Sequence, residues 1–225
     1  GSAFRIRNMQ ALGFAVLAVD YRGFGRSTDE LPSEAGVYED ARAAWTWIER
    51  RYPGRERYIF GHSLGGAIAV QLATEVDDAK GLIVEGTFTS IPDVFESFKW
   101  GWLPLQPLIT QRFDSAQKIG RIKVPLLVVH GSDDSLIRPE LGRALFERAN
   151  APKRFVLVEG GTHYNTNGAG QSLYRQALRE LGYEERRNIA LELRFAEGDL
   201  KRLPDLASDL VRLKVRDVFV SGHMK

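Results

Sequence analysis

Five short, unbroken apolar runs separated by stretches of helical period constrain this chain more than any other feature. The runs are Phe14-Ala-Val-Leu-Ala-Val-Asp20, residues 57–62, Gly81-Leu-Ile-Val-Glu-Gly86, Pro125-Leu-Leu-Val-Val-His130 and Arg154-Phe-Val-Leu-Val-Glu159. A strand that is apolar at consecutive positions must be covered on both faces, and a parallel sheet under crossover helices provides that cover. Helical stretches fall over residues 3–12, 37–51, 63–76, 139–149 and 170–181. In the second of these Val37, Ala41, Ala44, Trp45 and Ile48 share one side, and Pro53-Gly54 ends it. Repeated units of this kind predict an α/β fold, a doubly wound, mostly parallel sheet with helices on both faces.

The second run leads into Gly61-His62-Ser63-Leu64-Gly65, and Gly66-Ala-Ile-Ala-Val-Gln-Leu-Ala73 follows as a helix. A serine between a strand and a helix, with glycines two residues to either side, fits a turn too tight for side chains at the glycine positions. Such a turn lifts the Ser63 hydroxyl off the sheet. It also aims the first N–H groups of the helix, and its positive dipole end, at charge forming on a bound carbonyl. The pattern alone is weak, since a glycine-rich turn can carry a bystander serine; its place between strand and helix strengthens it.

A net charge of +2 over 225 residues offers no footprint for nucleic acid or a membrane surface. No apolar run approaches the roughly 20 residues that span a bilayer. The chain has no cysteine, so it has no disulfide, no thiolate nucleophile and no cysteine-ligated metal, which fits a reducing cytoplasm.

A serine hydroxyl needs a base near neutral pH, and the base needs an orienting acid. Of the four histidines, His62 adjoins the serine but faces away from it in such a turn. His130 ends a strand and His223 lies in the terminal tail. His163, in Gly160-Gly-Thr-His-Tyr164, follows the last of the five strands in a loop on the rim that carries Ser63, and is read as the base. For the acid, Asp133 and Asp134 both follow the preceding strand. Asp134 is chosen, with Glu85 as the alternative.

Residues 88–118 interrupt the alternation with Phe88, Phe95, Phe98, Trp100, Trp102, Phe113 and three prolines. The run reads either as buried packing or as a cap over an apolar substrate pocket. It emerges where active-site loops do in such sheets, which favours the cap and makes Phe88, Trp100 and Trp102 substrate-binding candidates.

Residues 3 to about 181 resemble the α/β-hydrolase family of acyl-ester and thioester hydrolases. The matching segments are Asp20-Tyr-Arg-Gly-Phe-Gly-Arg-Ser27, Gly61-His-Ser-Leu-Gly65, Glu85-Gly-Thr-Phe-Thr-Ser90, His130-Gly-Ser-Asp-Asp134 and Gly161-Thr-His163. The resemblance implies the order Ser63, Asp134, His163 for nucleophile, acid and base. It also implies an oxyanion donor at the Leu64 N–H and no metal or organic cofactor. In that family several strands precede the equivalent of the Phe14 strand, the last ending in a turn that gives a second oxyanion N–H. This sequence starts after that turn. The expectation is therefore one donor, weakened activity, and a vacant central slot between the Phe14 and Tyr58 strands.

Residues from about 172 to 222 resemble a fragment of the substrate-binding proteins of ABC transporters, without the second lobe that would enclose a ligand. Nine basic and eight acidic side chains over 182–225 exclude a charged nucleic-acid tail. The expected organisation is a hydrolase domain over 1–181, with a cap insertion at 88–118, and a βαβ extension over 182–225. The chain then reads as a chimera in which 183–225 is either a side appendage or a replacement whose strand Arg216–Gly222 fills the vacant slot, from its own chain or by strand exchange in a homodimer. Gly222 or His223 would then offer the second N–H.

The function expected is serine hydrolysis of a small carboxylic ester or thioester through an acyl-enzyme. The rival is a chimeric scaffold carrying a relic triad. Peptidase or haloperoxidase-like chemistry on the same scaffold stays open, because fold does not fix chemistry.

Overall fold

The unbroken apolar runs form strands buried on both sides. The computed structural model describes residues 2–20, 33–98, 109–183, 188–194 and 219–221. Its strands are β1 (Phe14–Asp20), β2 (Glu56–His62), β3 (Ala79–Glu85), β4 (Leu126–Gly131), β5 (Lys153–Val158), β6 (Asn188–Arg194) and β7 (Phe219–Ser221). Its helices are α1 (Ser2–Ala11), α2 (Glu34–Arg51), α3 (Leu64–Ala73), α4 (Ile91–Glu96), α5 (Pro139–Arg148), α6 (Thr166–Ala169) and α7 (Gln171–Glu180). Helix α2 begins three residues earlier than periodicity predicts, because Ser33 caps it by accepting from the Gly36 N–H at 3.1 Å.

The strands pair in the order β5-β4-β3-β2-β6-β1-β7, and every pairing is parallel. Side chains alternate between two apolar layers, as the period of a strand requires. Leu17, Ile59, Leu82, Val84, Leu126, Val128 and Leu191 face the layer that α2, α3 and α5 cover. Phe14, Val16, Tyr58, Phe60, Ile83, Leu127 and Ala190 face the layer that α1 and α7 cover. The result is the mostly parallel, doubly wound sheet the sequence predicts.

The central position between β1 and β2 belongs to β6. This corrects the expectation that Arg216–Gly222 would occupy it. Strand β6 pairs with β1 from Phe14↔Asn188 to Asp20↔Arg194, and with β2 from Glu56↔Asn188 to Gly61↔Leu193. A strand in that slot must bond on two sides and bury two faces. Seven residues long, with Ala190 and Leu191 fully buried, β6 meets both demands. Strand β7 pairs only with β1, at its outer edge, from Leu17↔Phe219 to Val19↔Ser221. The pairing is complete within one chain, so the sheet needs no strand exchange. Gly222 and His223 lie outside the described residues, as do Trp100, Trp102 and the loop 21–32.

Candidate active site

Strand β2 ends at His62, and the next residue turns the chain sharply into α3. Ser63 has φ 56° and ψ −124°, a conformation that side-chain-bearing residues rarely adopt. Holding it there costs about 1–3 kcal/mol. Three hydrogen bonds offset the strain: Ser63 N–H to Glu85 O at 3.0 Å, Gly66 N–H to Ser63 O at 2.9 Å, and Thr87 Oγ1 to Ser63 O at 2.9 Å. Gly61 is dictated by contact. A Cβ on Gly61 would lie 2.3 Å from the Gly65 carbonyl oxygen, so the two ends of the turn touch main chain to main chain. Leu64 opens α3, where the first N–H groups of a helix have no intrahelical acceptor and carry its positive end.

Asp134 lies in the loop beyond β4. Its Oδ1 accepts from the Leu136 N–H at 3.0 Å and the Ile137 N–H at 2.8 Å. Its Oδ2 accepts from His163 Nδ1 at 2.7 Å and lies 3.4 Å from His130 Nε2. Burial pushes this carboxyl up. The bonds from His130, His163 and Ile137, with the charge of His163, outweigh burial and hold Asp134 well below the usual carboxylate range. An ionised carboxylate only accepts, so Nδ1 of His163 carries the proton and Nε2 is the nitrogen left for proton transfer. Asp133, the neighbour weighed for the same role, is exposed and takes a hydrogen bond from Ser132 Oγ at 2.8 Å.

Ser63 is brought to this corner through its main chain. Its N–H bonds to Glu85, and the following residue, Gly86, lies directly beneath the acid–base pair. A Cβ on Gly86 would sit 3.4 Å from both Asp134 Oδ2 and His163 Nδ1, and its φ of 54° suits glycine. On the other side His62, which immediately precedes Ser63, donates from Nε2 to the His163 main-chain oxygen at 2.8 Å. The two imidazole rings lie 4.6 Å apart.

Glu85, the alternative acid, is turned to other partners. It is buried and receives Arg5 Nε at 3.3 Å, Asn167 Nδ2 at 3.1 Å and the Tyr174 hydroxyl. Burial and the adjacent carboxylate push the Tyr174 phenol well up, so it stays protonated and donates. Burial alone would lower the Arg5 guanidinium, but the charges of Glu85 and Glu192 raise it.

Phe88, a substrate-binding candidate, is buried in the apolar core on the α2 and α3 side. Three participants escaped sequence reasoning: His130 on Asp134, Thr87 on the Ser63 turn, and His62 on His163. All three lie in segments that carry the family resemblance, but only the fold shows what each side chain touches. Among the described residues no cluster of three or more histidine or carboxylate side chains is arranged to hold a metal ion. No described helix is long and apolar enough to cross a membrane.

Residues 5–118, half of the chain, match the sequence profile of the hydrolase family described as serine aminopeptidase, S33. The chain belongs to this family of α/β hydrolases. It is 38% identical over 158 residues to an uncharacterized protein of Mycobacterium tuberculosis (strain ATCC 25618 / H37Rv), covering 69% of this chain and 55% of that protein. It is 32% identical over 161 residues to lysophosphatidylserine lipase ABHD12 of Danio rerio, covering 64% of this chain and 42% of the lipase. The chain thus spans about half the length of these relatives. Among solved structures, the Paleococcus ferrophilus monoacylglycerol lipase shares the fold, with a TM-score of 0.52 and 19% identity over 75% of this chain and 95% of the lipase.

Proposed function

We propose that the chain is a serine hydrolase of carboxylic esters or thioesters that works through an acyl-enzyme. The observation that carries this reading is the buried Asp134–His163 pair standing over Gly86, at the corner where the strained turn presents Ser63. In the proposed reaction His163 Nε2 takes the Ser63 proton as Oγ attacks the carbonyl carbon. The Leu64 N–H, at the positive end of α3, stabilises the oxyanion. Collapse of the adduct expels the alcohol or thiol, which leaves with the proton from His163. Water, activated by the same imidazole, then releases the acid and frees Ser63. Asp134, kept ionised, holds the imidazole in one tautomer and supports its charge while it is protonated.

The insertion at 88–118, with Trp100 and Trp102, is proposed to favour apolar acyl groups. The name of the zebrafish relative, a lysophosphatidylserine lipase, points to the same class of acyl ester. Residues 182–225 are proposed to be a βαβ extension that completes the sheet; the support is β6, which pairs with β2 and β1. A burst of p-nitrophenolate from a p-nitrophenyl ester, one equivalent per chain and absent in Ser63→Ala, is the expected result. A folded protein with no burst would favour the scaffold reading.

A further inference from the structure

His62 and His163 are 101 residues apart in the chain, yet a single hydrogen bond joins them at the site. The acceptor is a main-chain carbonyl, which cannot donate, so the proton sits on Nε2 of His62 and its tautomer is fixed. The bond attaches to the peptide of His163 itself. Other restraints on that loop are Asp133 N–H to Gly161 O at 2.8 Å, Thr162 N–H to Asn165 Oδ1 at 2.7 Å, Thr166 Oγ1 to Thr162 O at 2.6 Å and Tyr164 N–H to Thr162 Oγ1 at 3.4 Å. Those around His163 are local to its loop and the Asp134 bond holds its imidazole, whereas the His62 bond ties its carbonyl to the end of β2.

Since His62 adjoins Ser63, one residue links the peptide that carries the hydroxyl to the peptide that carries the base. Resting on the hydrolase reading above, we propose that His62 is a positioning residue, holding the His163 loop at the distance from Ser63 that proton transfer requires. A displacement of about 1 Å between reacting groups costs on the order of 10²-fold in rate, and this tether opposes that displacement. Its electrical state suits the role. Burial, and then the facing Arg5 guanidinium and His163, hold His62 well below the ordinary histidine range, so it is neutral. A charged ring 4.6 Å from His163 would oppose the imidazolium that forms there.

The test compares His62→Phe, which keeps a ring but loses the donor, with His62→Gln, whose amide N–H reaches a similar position. Burst amplitude counts competent sites and burst rate reports acylation. The expected outcome is one equivalent of burst in all three proteins, a rate about 10–100-fold slower in His62→Phe, and near wild-type in His62→Gln. A wild-type rate in His62→Phe overturns the proposal. A reduced amplitude at an unchanged rate does so too, since it marks a folding role. A second readout needs no turnover: in a Ser63→Ala background, the downfield proton NMR resonance of His163 Nδ1–H on Asp134 should persist with His62→Gln and broaden by exchange with His62→Phe. If the wild type gives no burst, the hydrolase reading fails while this resonance still decides the tether. An unchanged resonance in the double variant with phenylalanine refutes it.

Discussion

Glu85 ends β3 and Asp134 lies just beyond β4, so two buried carboxylates stand at the tips of neighbouring strands. Their surroundings are opposite. Glu85 is enclosed by Arg5, Asn167 and Tyr174, and its charge is matched by a guanidinium that cannot give up its proton. Asp134 is matched by two main-chain N–H groups and by imidazoles, one of which has a second nitrogen left for chemistry. On the proposed mechanism, the contrast teaches that burial and charge do not mark an active carboxylate. What marks it is a partner that can pass a proton on. Replacements on the two sides should therefore separate loss of turnover from loss of stability.

The largest effect is expected on the active side. Ser63→Ala removes the proposed nucleophile and should lower kcat by at least about 10⁴-fold, with residual turnover from binding and the proposed oxyanion donor alone. Alanine keeps the Cβ, and with it the strain at φ 56°, so the melting temperature should stay close to wild type; steady-state kinetics and a thermal melt check both. Asp134→Asn should lower kcat by roughly 10³–10⁴-fold, because the amide no longer enforces the Nδ1–H tautomer of His163. A wild-type kcat in Asp134→Asn, measured on folded protein, would erase the distinction drawn between the two carboxylates.

Glu85→Gln is the matching change on the other side. It removes one of the two carboxylates whose charges act on the buried Arg5, which costs up to about 3–5 kcal/mol of stability. Denaturant midpoints should show that loss, while kcat of the folded fraction falls far less than in Asp134→Asn. A collapse of kcat with unchanged stability would instead assign Glu85 to the chemistry.

Much of this was readable beforehand, for a physical reason. Strands β1 to β5 announce themselves because two covered faces demand consecutive apolar residues, and Ser63 does so because its turn excludes a side chain at Gly61, which packs on the Gly65 main chain. Strand β6 was misplaced because Glu192 and Arg194 interrupt its apolar pattern, so it does not read as a central strand. Glu192 is fully buried, and its charge acts on Arg5, which sits on α1 at the far end of the chain. Such compensation is tertiary and leaves no local trace. The same holds for Glu85, whose partners come from α1, α6 and α7, and for His62, whose partner arrives on a loop 101 residues away. A motif can report what a residue is next to in the chain, but not which distant carbonyl its ring will meet.

The smallest effect concerns pH and sharpens the same contrast. His62 is kept neutral in the folded state, whereas an unfolded chain protonates it around its ordinary value of 6.5. Between that value and the lower folded one, the unfolded state binds more protons, so its contribution to stability is full above about pH 7 and declines as pH falls. The limiting slope is about 1.4 kcal/mol per pH unit for one proton. Asp134 also has a depressed folded value, so its contribution is present above its ordinary value of 3.8 and is lost only at more acidic pH. The His62 window opens below 6.5 and the Asp134 window only below 3.8, so between pH 7 and 5 the His62 contribution is seen without that of Asp134. Denaturant titrations of the wild type between pH 7 and 5 should show the His62 slope, and His62→Gln should be flatter by up to that amount. An identical slope in the two proteins would mean that burial, Arg5 and His163 together do not hold the residue next to Ser63 below its ordinary value.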